Sequence, residues 1–272
     1  MVHNQQLVEQ YQTSANLDVR IDIHERFSTN PYRWMCWVFD HFKFPPACRI
    51  LEVGCGVGKL WLENAQRIGA DWEITLSDFS AGMLEKTQAN LVNVQGRFDF
   101  KVFGVEDIPF GPATFDAVIA NHMLYYTADL DRALSEIRRV LKPNGTLYAS
   151  TNGLNHLREM DDLILDFRGG SRPVASVVEA FSLDQGHDFL GRHFDVVQLD
   201  RQENGLRVDD PAALTAFCLS MSRAGIPEEK QPAFADYVER RIRECGVEMR
   251  IVKDVGLFAC RQVRVPSGAI IN

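Results

Sequence analysis

The segment Ile50-Leu51-Glu52-Val53-Gly54-Cys55-Gly56-Val57-Gly58 constrains the fold of this chain more than any other. A short apolar run carrying one acidic residue near its end, followed by three glycines at alternate positions, reads as a buried strand turning tightly into a helix. Gly54 and Gly56 let the chain turn sharply and bring its backbone close to a ligand, where a Cβ would collide or forbid the dihedrals. Gly58 lets the following helix pack tightly on the strand, and that helix's N-terminus points amides at the ligand.

The spacing is GxGxG, whereas dinucleotide folds usually carry GxGxxG. Glu52, two residues before Gly54, separates the two ligand classes. A pyrophosphate would be repelled there, while a cation is favoured, and S-adenosylmethionine presents an ammonium and a sulfonium. The second strand is expected to end at Asp78, about twenty residues past the last glycine, where a carboxylate accepts hydrogen bonds from ribose hydroxyls. The competing reading makes Asp78 an N-cap for a helix starting near Ala81, although Ser80 can also cap it.

Alternation of apolar runs with amphipathic stretches predicts an α/β fold, a parallel sheet covered on both faces by helices. Strands are expected at Arg49–Val53, Glu73–Ser77, Phe98–Phe103, Phe115–Ala120, Thr146–Ser150, Phe194–Leu199 and Asp254–Val263. Helical spacing marks Lys59–Ile68, Ala81–Leu91, Asp129–Leu141, Leu154–Phe167, Pro211–Arg223 and Glu228–Cys245. Residues 1–47 read as a separate helical segment crowded with Tyr11, Phe27, Tyr32, Trp34, Trp37, Phe39 and Phe42. That segment is either a packing helix across the core's edge or a lid. Residues 48–272 form the expected Rossmann-like domain, with a helical insertion at about 209–246 before the last strand.

Four segments in order, ILEVGCGVG, TLSDFSAGML, VEDIPF followed by FDAVIANHMLYY, and EIRRVLKPNGTLYAS, carry a family resemblance. Residues from about 48 to 151 resemble the class I S-adenosylmethionine-dependent methyltransferases, specifically the small-molecule group related to ubiquinone and menaquinone methyltransferases. The resemblance implies a doubly wound, mostly parallel, seven-stranded sheet of Rossmann-like form, with S-adenosyl-L-methionine as cofactor and S-adenosyl-L-homocysteine as product. It implies Glu52 in the site's charge network and the backbone of Gly54, Cys55, Gly56 and Gly58 against the methionyl part. Asp78 then holds the ribose hydroxyls, and Phe79 and Met83 flank the adenine; the bland reading has both filling core. Gly104 stands where the family commonly has aspartate. The adenine-edge contact therefore falls to the backbone at Val105 or to the carboxylate of Glu106.

Asn121 and His122 follow the fourth strand, at the carboxyl edge where ligands of doubly wound folds collect. Asn121 is expected beside the cofactor. His122, with an ordinary pKa of about 6.5, is the candidate base for an acceptor that must lose a proton. The other reading has it packing or bonding a loop. Tyr125 and Tyr126 are candidate pocket walls or hydrogen-bond donors. Arg20 is the candidate partner of the cofactor's carboxylate, which a guanidinium binds bidentately, against the alternative of a surface arginine.

The stretch Asn121-His122-Met123-Leu124 lacks the Asn/Asp-Pro-Pro-aromatic pattern of enzymes that methylate nucleic-acid bases. With 37 acidic against 29 basic residues and a net charge of -8, the chain also has the wrong sign for a phosphate backbone. Six cysteines without a CxxC pair predict reduced thiols and a cytoplasmic address. No apolar stretch approaches the roughly 20 residues of a membrane span, and no metal-ligand spacing is present. The expected partner is a small-molecule acceptor, with neither nucleic acid nor membrane. Two other functions share the motif: a non-catalytic methyltransferase-like cofactor-binding protein, and a nicotinamide-dependent oxidoreductase.

Overall fold

A computed structural model gives the structure of residues 14–169, 180–221 and 224–263, with the side chains of 14–18, 20 and 21 outside that description. Tyr11, Arg223 and the Arg20 side chain therefore lie outside the described residues. Two helices, α1 (Ser14–Phe27) and α2 (Trp34–Asp40), precede β1 (Cys48–Val53). Next come α3 (Lys59–Glu63), β2 (Trp72–Asp78), α4 (Ala81–Leu91), β3 (Arg97–Val102), β4 (Phe115–Asn121), α5 (Leu130–Val140) and β5 (Leu141–Asn152). The chain continues through α6 (Arg158–Arg168), α7 (Gly186–Gly191), β6 (Val196–Gln202), β7 (Gly205–Val208), α8 (Pro211–Ser220), α9 (Gln231–Glu244), β8 (Met249–Val252) and β9 (Val255–Arg261).

Seven strands form one sheet in the order β3-β2-β1-β4-β5-β9-β6. All run parallel except β9, which is antiparallel to β5 and β6. The doubly wound, mostly parallel seven-stranded architecture expected from the sequence is present. Strand order reverses between β1 and β4, so the crevice outside their carboxyl ends is the switch point where such folds bind ligands. Both faces are covered. Leu51 and Val53 pack with Leu134 and Ile137 of α5 on one face, while Ile50 packs with Leu60 and Trp61 of α3 and Val38 of α2 on the other. This explains why β1 reads as a nearly continuous apolar run, with Arg49 at its exposed start and Glu52 as the exceptions.

Two compact units are present. One contains the described residues of 32–153, 177–202 and 255–272, and hence the whole seven-stranded sheet; the other contains those of 1–31, 154–176 and 203–254. The segment expected to be one N-terminal element up to residue 47 is thus divided between Pro31 and Tyr32. Val38 and Phe39 of α2 are buried in the cluster around Trp61, whereas Ile23 of α1 is buried with Leu214 and Phe217 of α8. The second unit also contains β7 and β8, a two-stranded antiparallel sheet that widens the expected 209–246 insertion. Among the described residues no helix is long and apolar enough to cross a membrane.

Two helix boundaries differ from expectation for local reasons. The helix expected over Lys59–Ile68 stops at Glu63, and a 3-10 turn follows at Ala65–Arg67. Asn64 leaves the helical region because its side-chain amide is committed to the carbonyls of Leu60 at 2.8 Å and Met35 at 3.1 Å. The segment expected to be helical from Leu154 begins at Arg158, preceded by Leu157 in the left-handed region at φ 56°.

Candidate functional site

Glu52 is the penultimate residue of β1 and shares the face of Ile50, so its carboxylate enters the protein beneath α3. It is 2% exposed. Trp61 Nε1 donates to one carboxylate oxygen at 2.6 Å, and Asn121 Nδ2 donates to the other at 3.4 Å. Burial pushes its pKa up to about 7, the two donors oppose the rise, and the nearby charge of Asp78 adds to it.

The glycine turn leaves β1 with φ of 66° at Gly54, 57° at Gly56 and 74° at Gly58, all in the left-handed region. The surroundings of the three differ. A Cβ at Gly54 would lie 2.9 Å from Met123 Cβ, and one at Gly58 would lie 2.8 Å from Thr87 Cγ2 on α4. A Cβ at Gly56 would meet nothing within 4 Å. Two glycines are thus required by packing as well as by dihedral, while the third borders open space. Cys55 is buried, with its sulfur 3.8 Å from Thr87 Oγ1, and burial pushes its thiol well above the usual range.

Asp78 ends β2 beside this turn. Its carboxylate accepts from Gly56 N at 3.1 Å and from Ser80 N at 2.9 Å. Burial raises its pKa against those bonds. The cap of α4 is Ser80, whose hydroxyl accepts from Met83 N at 3.3 Å. Asp78 therefore ties the glycine turn to the second strand rather than capping the helix. Phe79, next in the chain, is 51% exposed, and Met83 lies in the first turn of α4.

At the end of β4, Asn121 spans two strands: its amide nitrogen reaches Glu52, and its oxygen accepts from Ser150 Oγ of β5 at 3.0 Å. His122 N donates to Ser150 O at 3.1 Å and lies 3.2 Å from Ser150 Oγ. These bonds hold His122 at φ 49°, uncommon for a residue with a side chain. Its ring lies 5.4 Å from Trp34 of α2 and 6.5 Å from buried Tyr125. Burial lowers its pKa to about 4, so the imidazole is neutral near pH 7 and a weaker base than the sequence suggests.

Glu52, the glycine turn, Asp78, Asn121, His122 and Tyr125 thus fall at the carboxyl ends of β1, β2 and β4. Val105 is buried. The Glu106 carboxylate accepts from Ala128 N at 3.0 Å, and its carbonyl accepts from Arg132 Nε at 2.8 Å, so Glu106 holds a loop. Sequence reasoning missed two residues, Trp61 beneath Glu52 and Ser150 beneath His122, and it named Trp34, which stacks on Trp37 at 5.1 Å, only as part of the aromatic N-terminal segment. The Trp34 Nε1 is buried with no hydrogen-bond partner among the described residues. Among those residues no group of His, Cys, Asp and Glu is arranged to hold a metal ion.

A family profile described as a methyltransferase domain matches residues 51–149. Malonyl-[acyl-carrier protein] O-methyltransferase of Methylovorus sp. is 37% identical over 116 residues, covering 41% of this chain and 39% of that protein. The ubiquinone/menaquinone biosynthesis C-methyltransferase UbiE of Geotalea daltonii is 35% identical over 114 residues, covering 41% and 48%. The chain thus spans less than half the length of either curated relative. Among solved structures, the Haemonchus contortus phosphoethanolamine N-methyltransferase 2 in complex with S-adenosyl-L-methionine superposes with a TM-score of 0.59. That match covers 95% of this chain and 60% of the other at 15% identity, a likeness of fold.

Proposed function

We propose that this chain, whose residues 51–149 form a methyltransferase domain of the class I fold, transfers a methyl group from S-adenosylmethionine to a small-molecule acceptor. The observation that carries the proposal is the pairing of open space beside Gly56 with two buried carboxylates, Glu52 and Asp78, at the sheet's switch point.

The residues suit a cationic adenosyl ligand. A backbone with no side chain at Gly56 admits close approach, and the Asp78 carboxylate, with about four lone-pair sites, retains capacity for a ribose hydroxyl beyond its backbone donors. Glu52 gains when a positive charge comes near, because that charge favours its ionised form. Phe79 and Met83 offer an aromatic face and a thioether to a purine ring. Val105 backbone is the candidate contact for the adenine edge, since the Glu106 carboxylate is already bonded. When bound, S-adenosylmethionine supplies a methyl group activated by its sulfonium. The chain's own work is to orient the acceptor and exclude water. His122, Tyr125 and Trp34 are the candidate walls of that acceptor site, with a neutral imidazole able to accept a hydrogen bond.

Calorimetric titration with S-adenosylhomocysteine and, separately, with NADH tests the cofactor assignment. Saturable binding of the first alone is the expected result. Binding of the dinucleotide alone, or of neither, overturns the proposal. Conversion of S-adenosylmethionine to S-adenosylhomocysteine across a panel of acceptors then separates an enzyme from a binding protein.

A further inference from the structure

Lys253 belongs to the unit that contains β7 and β8. Its backbone is fixed by the preceding residue: Val252 N donates to Glu159 Oε2 at 3.0 Å, and Val252 O accepts from Leu157 N at 2.8 Å. Ser28 is fixed as firmly. It forms a β-bridge with Leu206, which pairs with Ile251 of β8, and Thr29 N donates to Gly205 O at 2.9 Å. Ser28, Leu206 and Ile251 therefore lie side by side across three chain segments. Lys253 follows the buried Ile251 by two residues, on the side a strand's alternation turns inward.

The ammonium reaches Ser28 Oγ at 3.4 Å. That hydroxyl gives its own proton to Asn204 Oδ1 at 2.9 Å, so it serves Lys253 as an acceptor. An ammonium carries three donors, and Ser28 uses one. Asp254, Glu159 and Glu203 are near in the chain or the fold, yet no carboxylate among the described residues lies within 4.0 Å of the amine. Burial draws its pKa down to about 8. A mostly enclosed cation with no counter-ion among the described residues is costly.

We propose that Lys253, positioned by Ser28, is a binding site for a small oxyanion, the carboxylate or phosphate of a soluble ligand. The anion supplies the acceptors that the ammonium lacks. The site lies wholly within the unit that contains β7 and β8, and it stands independently of the methyl-transfer proposal.

The test uses the full chain, with acetate and inorganic phosphate as the two probes. The Lys253 side-chain carbon signals, identified by their loss in Lys253→Met, are followed by NMR through a pH titration with and without each anion. A bound anion raises the midpoint from about 8 toward the ordinary lysine range, and whichever probe does so names the chemistry. The same anion should raise the melting temperature of the wild type and of Lys253→Arg, which keeps the charge, but not of Lys253→Met. A midpoint unmoved by either anion at millimolar excess overturns the proposal, as does an equal thermal gain in Lys253→Met.

Discussion

Trp61 donates its indole hydrogen to the buried carboxylate of Glu52 across 2.6 Å, from the first helix after the glycine turn to the strand before it. The bond closes the turn on itself. Gly54 to Gly58 are gripped between strand and helix, while Asp78 holds Gly56 N from the neighbouring strand. The turn is therefore rigid before any ligand arrives, which reduces the ordering cost of binding.

Because burial raises Glu52 from about 4.5 unfolded to about 7 folded, folding favours its protonated form. Its contribution to stability is fully present below about pH 4.5 and is lost as pH rises through about 7, a change on the order of 3 kcal/mol. Glu52→Gln retains an oxygen for Trp61 and cannot ionise. The variant should melt at a higher temperature than the wild type above neutrality, with the gain shrinking toward pH 5. A gain of the same size at both ends would show that ionisation of Glu52 is not the cause.

The glycines should separate by effect. Gly58→Ala sets a Cβ 2.8 Å from Thr87 in a left-handed backbone, so it should lower the melting temperature more than Gly56→Ala. Gly56→Ala meets only open space and bears mainly the left-handed cost, roughly 1 to 2 kcal/mol. Its larger effect should be on S-adenosylhomocysteine affinity, and Gly56→Val should lose binding altogether. Calorimetry beside thermal melts checks this, and parallel losses in both measurements for Gly56 would reduce that glycine to a structural role.

Much of the sheet was legible because its strands are buried on both faces and announce themselves as apolar runs between glycines and helices. The paired strands β7 and β8 were not, since four residues each leave too little alternation to read. Glycine spacing and the acidic residues Glu52 and Asp78 were visible for the same local reason. The partners of those residues were not: Trp61 and Ser150 reach the site through packing, which no spacing rule encodes, and Trp34 was visible only as one of a crowd of aromatics. His122 shows the limit most clearly. Its position was readable, but its basicity depends on enclosure by residues distant in sequence.

Asp78→Ala removes an acceptor for Gly56 N and Ser80 N together with the proposed ribose contact. Affinity for S-adenosylhomocysteine should fall by roughly 1.5 to 3 kcal/mol, the range for hydrogen bonds to a charged group. Since Ser80 caps α4 by itself, the helical signal in circular dichroism should persist. Unchanged affinity would leave Asp78 as a strut for the turn.

His122 titrates in the opposite sense to Glu52. Its pKa falls from about 6.5 unfolded to about 4 folded, so the unfolded chain binds the extra proton first. The stability linked to His122 is present above about pH 6.5 and is lost as pH falls through about 4, while that of Glu52 is lost as pH rises across nearly the same window. In the wild type the two slopes oppose each other, and the net dependence of stability on pH between them should be shallow. Removing either group should expose the other: Glu52→Gln should lose stability on acidification, and His122→Phe should lose it on alkalinisation. Trp34→Ala opens the enclosure that depresses the imidazole, so NMR should find the His122 midpoint moved up toward its ordinary value. If His122 already titrates near 6.5 in the wild type, the imidazole regains its standing as a general base at neutral pH; if its midpoint stays put in Trp34→Ala, α2 does not control its basicity.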